Sequence, residues 1–203
     1  MSDRGVTQAG MASPVHGASL FVRRWLANPL RMGSVVPSSP ALCREVVRCG
    51  WPEPGGVVVD LGAGTGVISQ AFLEAGLHPE RLVSVEIDRK LVEHLRTSLS
   101  GVEVLECDAR DLRNHLPARF QGRVTSVVCG IPLVLLPLAR QRAFIESIFS
   151  IAPGRGFLHF SYCVTSPLPA RRHGLTAKRE AWTPLNLPPA SVWRYTPILA
   201  GSR

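Results

Sequence analysis

VVVDLGAGTGV (57–67) is the stretch on which the reading of this chain turns. Val57–Leu61 is a continuous apolar run interrupted only by Asp60, as a strand buried on both faces of a parallel sheet should read. It ends at Gly62-Ala-Gly64-Thr-Gly66, and residues 67–75 then carry a helical pattern. Strand, glycine turn and helix together form the repeating unit of α/β sheets. The glycines let the backbone turn tightly and approach a ligand that side chains would exclude. Two ligand classes fail on spacing. A P-loop needs Gly-Lys-Ser/Thr, whereas Val67-Ile68 follow Gly66; the dinucleotide pattern GxGxxG would need glycine at 67.

Outward from the turn, strands are predicted over 82–87, 102–106, 124–129 and 157–162. Helices are predicted over 89–99 and 140–151, with Pro153-Gly-Arg-Gly156 turning the chain back. Strand–loop–strand follows: residues 176–187 and 191–197 are joined by LPPA, which suits an antiparallel pair. Upstream, Ser39 is a natural N-cap before Pro40 for a helix running through LCREVVRC. A further helix is predicted over 18–30, with Phe21, Val22, Trp25, Leu26 and Leu30 on one half of the wheel. Arg23, Arg24, Ala27 and Asn28 take the other half. The organisation expected is a flexible stretch over 1–17, N-terminal helices over 18–50 and one α/β domain over 51–203.

Composition removes other classes. The chain has 203 residues and 45% hydrophobic content, enough to bury a core. Its cysteines (43, 49, 107, 129, 163) are odd in number and never in CxxC spacing, so a disulfide framework and a zinc site are not expected, and no metal is assigned. No secretory signal is read in residues 1–19. The longest uncharged stretch, Val124 to Ala139, contains Pro132 and Pro137 and falls short of the about 20 apolar residues of a membrane span. The charge of +8 comes from 23 Lys+Arg against 15 Asp+Glu, and only Lys90 and Lys178 are lysines. Such an arginine bias suits a GC-rich genome as well as an anionic partner.

Two acids extend the glycine turn into a candidate site. Glu86 ends the second strand, where an acid can accept hydrogen bonds from both hydroxyls of a ribose. Asp108 follows the third strand in VLECDAR (104–110), with Ala109 beside it, where a carboxylate can accept an adenine amino group. Asp60 is placed to position the turn and to reach the ligand's far end. The remaining pattern, DxGxGxG, is the form typical of S-adenosylmethionine sites. The strand–helix alternation with its closing hairpin resembles the seven-stranded fold of methyltransferases that use this cofactor.

A closer resemblance runs through FVRRWLANPLRMGSVVPSS (21–39), DLGAGTG (60–66), VEID (85–88), CGIPL (129–133), HFSY (159–162) with Ser166-Pro167, and NLPPASVWRY (186–195). These segments resemble the soluble bacterial phospholipid N-methyltransferases, which convert phosphatidylethanolamine stepwise toward phosphatidylcholine. The resemblance covers about residues 20–197. It implies an α/β, Rossmann-like class I sheet of seven strands, mostly parallel, with an N-terminal amphipathic extension. It also implies S-adenosylmethionine bound through Asp60, Gly62, Gly64, Gly66, Glu86, Asp108, Ala109 and Gly130; Ser38 and Ser39, in a loop before the second helix, are expected to close over its methionine end. PGRG stands where the family has PGGR, and the resemblance does not separate these enzymes from relatives acting on other amine lipids, such as ornithine lipids. More distantly the chain resembles the rRNA adenine dimethylases. There the fourth strand ends in Asn-Leu-Pro-Tyr; Gly130 and Leu133 replace its amide and its aromatic platform, so a nucleic-acid substrate is not expected.

Tyr162 is the expected catalytic group, accepting or relaying the proton of an amine. His159 is expected to face elsewhere, since side chains alternate along a strand. Tyr162, Arg194 and Tyr195 are expected to hold substrate, Arg194 gripping a phosphate with its planar fork; an exposed arginine on an edge strand fits that position equally. Phe21, Arg23, Arg24 and Trp25 suit an anionic membrane surface, and the same half-apolar face suits packing on the domain. The expectation is a cytoplasmic protein, peripheral on the inner face of the cytoplasmic membrane. An rRNA adenine methyltransferase and a non-catalytic lipid-surface protein are the alternatives.

Overall fold

The computed structural model describes residues 38–162, 165–184, 186 and 189–198. The helix expected over 18–30, with Phe21, Arg23, Arg24 and Trp25, lies outside the described residues. Seven strands form one sheet: β1 (Val57–Leu61), β2 (Leu82–Glu86), β3 (Glu103–Glu106), β4 (Val124–Cys129), β5 (Phe157–Ser161), β6 (Leu175–Thr183) and β7 (Ala190–Pro197). Their order is β3-β2-β1-β4-β5-β7-β6. β1 to β5 are parallel neighbours, while β7 runs antiparallel to both β5 and β6. Strand order therefore reverses between β1 and β4, where sheets of this kind open a crevice beyond the strands' carboxyl ends.

Among the described residues, five helices accompany the sheet: α1 (Pro40–Gly50), α2 (Val67–Glu74), α3 (Arg89–Ser98), α4 (Leu112–His115) and α5 (Leu138–Ile151). Apolar packing forms on both faces of the sheet because successive strand residues face opposite ways. Val57, Val59, Leu61, Val127, Cys129, Phe157 and Tyr195 pack with Ile145 and Ile148 of α5. Val58, Val128, Leu158 and Val192 pack with Leu42 and Val46 of α1 and Phe72 of α2. Each fully buried side chain of this size contributes about 1.5–3 kcal/mol relative to exposure.

Three expectations need correction. α1 is not part of a separate N-terminal region ending at 50: its buried face lies on β4, β5, β6 and β7, so it completes the sheet's own core. α5 starts at Leu138 because Pro137, lacking an N–H, sits at the cap where none is needed. β6 begins at Leu175 and ends at Thr183, four residues before the expected end. The thiols of Cys43, Cys107 and Cys129 are buried and free, and burial pushes them to about 11, 11 and 12. They behave as small apolar groups.

Candidate active site

The turn after β1 is built by three left-handed glycines, Gly62 (φ +71°), Gly64 (φ +57°) and Gly66 (φ +83°). A β-carbon on Gly62 would lie 2.6 Å from Ile131 Cγ1, so this glycine is dictated by the packing of the β4–α5 loop. At Gly64 a β-carbon would meet nothing within 4 Å. That open, side-chain-free backbone is a surface against which a ligand fits. Gly130 closes the crevice from the other side: its N–H donates to Leu61 O at 2.8 Å, and a β-carbon there would lie 3.1 Å from Gly62 O.

Asp60 lies beneath this turn, 1% exposed, and supports it rather than lining its open side. Ser69 of α2 donates its hydroxyl proton to Asp60 Oδ2 at 2.7 Å. Ser84 of β2 therefore donates to Ser69 Oγ, also at 2.7 Å, since Ser69 has one proton to give. The chain β1–α2–β2 is thus tied by three side chains, two of which the sequence reading passed over. Burial pushes the Asp60 carboxyl up to about 6, and the Ser69 hydrogen bond opposes that rise.

Glu86 faces the turn from β2. Its Oε2 accepts the Gly64 N–H at 2.9 Å, while Oε1 accepts the N–H groups of Ile87 at 2.7 Å and Asp88 at 3.0 Å. A carboxylate offers about four acceptor positions, so capacity remains for a ligand hydroxyl. Asp108 caps the turn after β3, and Arg110 grips it with its backbone N–H (2.9 Å) and with Nε and Nη2. These hydrogen bonds hold the Asp108 carboxyl below the usual carboxylate range. Arg110, visible in the sequence as the third residue of Asp-Ala-Arg, went unassigned there. Ala109 is buried, and its carbonyl accepts the Ser147 hydroxyl of α5 at 2.7 Å.

A groove of about 820 Å³ runs between α1 and α2 and is lined by Ser38, Cys43, Thr65, Gly66 and Val67, among others. Ser38 therefore shares a groove with the glycine turn, while Ser39 caps α1 and does not line it. Tyr162 directly follows β5 and is 45% exposed. Burial lifts its phenol above the ordinary value, so the ring stays protonated at neutral pH. His159 faces the other way, as expected: its Nδ1 lies 2.8 Å from Cys129 O. A carbonyl only accepts, so Nδ1 carries the proton, and burial holds the imidazole neutral.

Arg194 and Tyr195 do not join this site. The antiparallel register pairs Ser161 with Ser191 but Leu158 with Arg194 and Phe157 with Tyr195, which carries both to the opposite end of β5. Arg194 donates to Glu180 Oε1 (3.2 Å) and Cys49 O (2.6 Å). Tyr195 is 0% exposed, stacks on Phe157, and bonds through its hydroxyl to Ser166 Oγ (2.9 Å) and Leu168 N (3.3 Å). Both serve the fold. Among the described residues no group of three His, Cys, Asp or Glu side chains could hold a metal ion, and no helix is long and apolar enough to cross a membrane.

A parallel sheet with its switch point between β1 and β4, a glycine turn open at Gly64 and acids ending or following the next two strands define a class I methyltransferase that takes S-adenosylmethionine. The chain belongs to the methyltransferase domain family, whose model matches residues 58–154. It is 30% identical over 181 residues to the ornithine lipid N-methyltransferase of Singulisphaera acidiphila, covering 86% of this chain and 93% of that enzyme. It is 29% identical over 103 residues to ribosomal RNA small subunit methyltransferase A of Methylococcus capsulatus, but that match covers 39% of the relative's length. Among solved structures, 1,6-didemethyltoxoflavin-N1-methyltransferase of Burkholderia thailandensis superposes with a TM-score of 0.59 at 17% identity, over 95% of this chain and 94% of that one. That last likeness is one of fold.

Proposed function

We propose that this protein transfers methyl groups from S-adenosylmethionine to the headgroup amine of a membrane lipid, either phosphatidylethanolamine or an amino-acid lipid of the ornithine type. The observation that carries the reading is Tyr162, half-exposed just after β5, the parallel neighbour of β4, whose end leads into Gly130 and an uncharged loop. The near full-length likeness to a lipid N-methyltransferase supports the acceptor class. Methylation of rRNA has less support, because its relatives match only half of the chain.

In this reading Gly64 leaves room for the cofactor, the acceptor position left on Glu86 takes one ribose hydroxyl, and Asp108 accepts from the adenine amino group. Bound S-adenosylmethionine supplies a sulfonium methyl, to which the amine's lone pair adds as the S–CH₃ bond breaks. The chain's own task is orientation and exclusion of water. An ethanolamine-like ammonium has a pKa near ~10, as lysine does, and must lose a proton first. Tyr162 accepts that hydrogen bond through its phenol oxygen and passes the proton to solvent as a relay, since burial disfavours the phenolate. Phe21, Arg23, Arg24 and Trp25 are proposed to meet anionic lipid on the inner face of the cytoplasmic membrane; their alternating apolar and basic character supports this.

The test is incubation of the protein and methyl-labelled S-adenosylmethionine with vesicles holding phosphatidylethanolamine or ornithine lipid. Label that enters the lipid extract and migrates as N-methylated lipid is expected. Label absent from both lipids, with cofactor still bound, would refute the reading.

A further inference from the structure

A second groove lies at the far end of the sheet from the cofactor turn. β7 runs antiparallel to β5, so its last residue, Pro197, and the start of β6 beside it lie toward the amino end of β5. The glycine turn instead follows the carboxyl end of β1, which runs parallel with β4 and β5. A short 3₁₀ turn, Ala170–His173, precedes β6, and Ile198, just past β7, donates its N–H to Gly174 O at 2.9 Å. Here opens a groove of about 950 Å³, lined by buried Leu168 and Leu175, by Ala177 and half-exposed Ile198, and by Arg171 and Arg172, among others. Small-molecule sites have this make-up, apolar walls with a few polar or charged groups in about 300–1,000 Å³.

We propose that this groove binds a free single-chain amphiphile with an anionic head, a long-chain carboxylate or alkyl phosphate, at a site separate from that of the methyl acceptor. The apolar lining covers the alkyl chain. Arg171 and Arg172 take the head, because the planar guanidinium fork matches carboxylate and phosphate oxygens. Charge favours an anion: residues 147–179 hold five Lys and Arg and no Asp or Glu. Glu180, the next acid along the chain, is already paired with Lys178 and Arg194. Among the described residues neither Arg171 nor Arg172 has an ion pair. No aromatic ring lines the groove, so it offers a nucleobase nothing to stack on. A bilayer is the poorer source of such a ligand, since contact at this end of the sheet turns the cofactor crevice away from the membrane. The inference holds whatever the methyl acceptor is.

The experiment is calorimetric titration of the full chain with dodecyl phosphate below its micelle threshold, with and without S-adenosylmethionine. Saturable binding to one site is expected, with the cofactor Kd unchanged. Inorganic phosphate, which lacks the chain, and dodecyl maltoside, which lacks the charge, are expected to bind at least about tenfold more weakly. The pair Arg171→Gln and Arg172→Gln, and separately Ile198→Asp, are expected to weaken dodecyl phosphate by a similar factor. All three side chains are exposed, so these variants are expected to melt with the parent. Tyr162→Phe is expected to leave the affinity for dodecyl phosphate unchanged. Absence of saturable binding, undiminished binding by the groove variants, or displacement by the cofactor would overturn the inference. So would attachment to phosphatidylglycerol vesicles that the groove variants lose while the free amphiphile fails to bind, since the surface would then be a bilayer contact. A protein that binds dodecyl phosphate in this way yet methylates neither lipid would uphold the groove and refute the lipid reading.

Discussion

Glu86 and Gly64, on neighbouring strand ends, are joined by a 2.9 Å hydrogen bond from the Gly64 N–H to Glu86 Oε2. One carboxylate thus shapes the glycine turn and retains room to take a ribose. Glu86→Ala is expected to weaken S-adenosylmethionine binding more than tenfold, about 1.4 kcal/mol or more, by losing both roles together. Isothermal calorimetry checks this, and unchanged affinity would remove Glu86 from the ribose.

Gly62 and Gly64 separate packing from ligand fit. Gly62→Ala puts a β-carbon 2.6 Å from Ile131 Cγ1 at a positive φ, so the variant is expected to be destabilised by several kcal/mol, at least about 3, or not to fold. Gly64→Ala meets open space and carries only the left-handed strain of about 1–2 kcal/mol. It is expected to fold and to lose cofactor affinity. Thermal melts and calorimetry on both variants test the distinction; a Gly64→Ala variant with normal affinity would place the ligand elsewhere.

Asp60 gives the pH dependence a sign. Its carboxyl is raised to about 6 by burial, above its unfolded value near 4. Below pH ~4 both states are protonated and the site's contribution to stability is complete. As pH rises toward 6 the unfolded chain ionises first, and about 3 kcal/mol is lost on that account. Asp60→Asn is expected to flatten this fall in denaturant titrations run from pH 4 to pH 7. A variant whose stability tracks the parent's across that range would contradict the assignment.

The two tyrosines are expected to fail differently. Tyr162→Phe should lower turnover about tenfold or more with cofactor affinity and melting temperature unchanged. Tyr195→Phe should spare turnover and lower stability by about 1–2 kcal/mol, since the Leu168 N–H and the Ser166 hydroxyl lose their buried partner. Steady-state kinetics with thermal melts distinguish them, and the reverse pattern would exchange their roles.

Much of this was legible in the sequence, for physical reasons. β1 and β4 read correctly to the residue because strands covered on both faces are predominantly apolar and free of the helical period, with Asp60, Thr125 and Ser126 as their polar positions. The cofactor turn was legible because only glycine accepts its backbone. Arg194 and Tyr195 were misplaced because a strand's pattern fixes its faces but not which end meets the site; the antiparallel pairing of β7 with β5 decides that. The amphipathic pattern of α1 announced a buried face without naming the sheet it covers. Asn186 belonged to a segment already singled out, yet the Ser39 N–H that its side chain accepts is 147 residues away and no local signal joins them.

The most direct test of the account is the lipid profile of a bacterial host that makes no N-methylated lipids, expressing either this protein or its Glu86→Ala variant. Mass spectrometry of the lipid extract is predicted to show amine lipids carrying one or more added methyl groups with the parent protein and none with the variant. An unchanged lipid profile from folded, cofactor-binding protein, or new methyl groups found on rRNA instead, would contradict it.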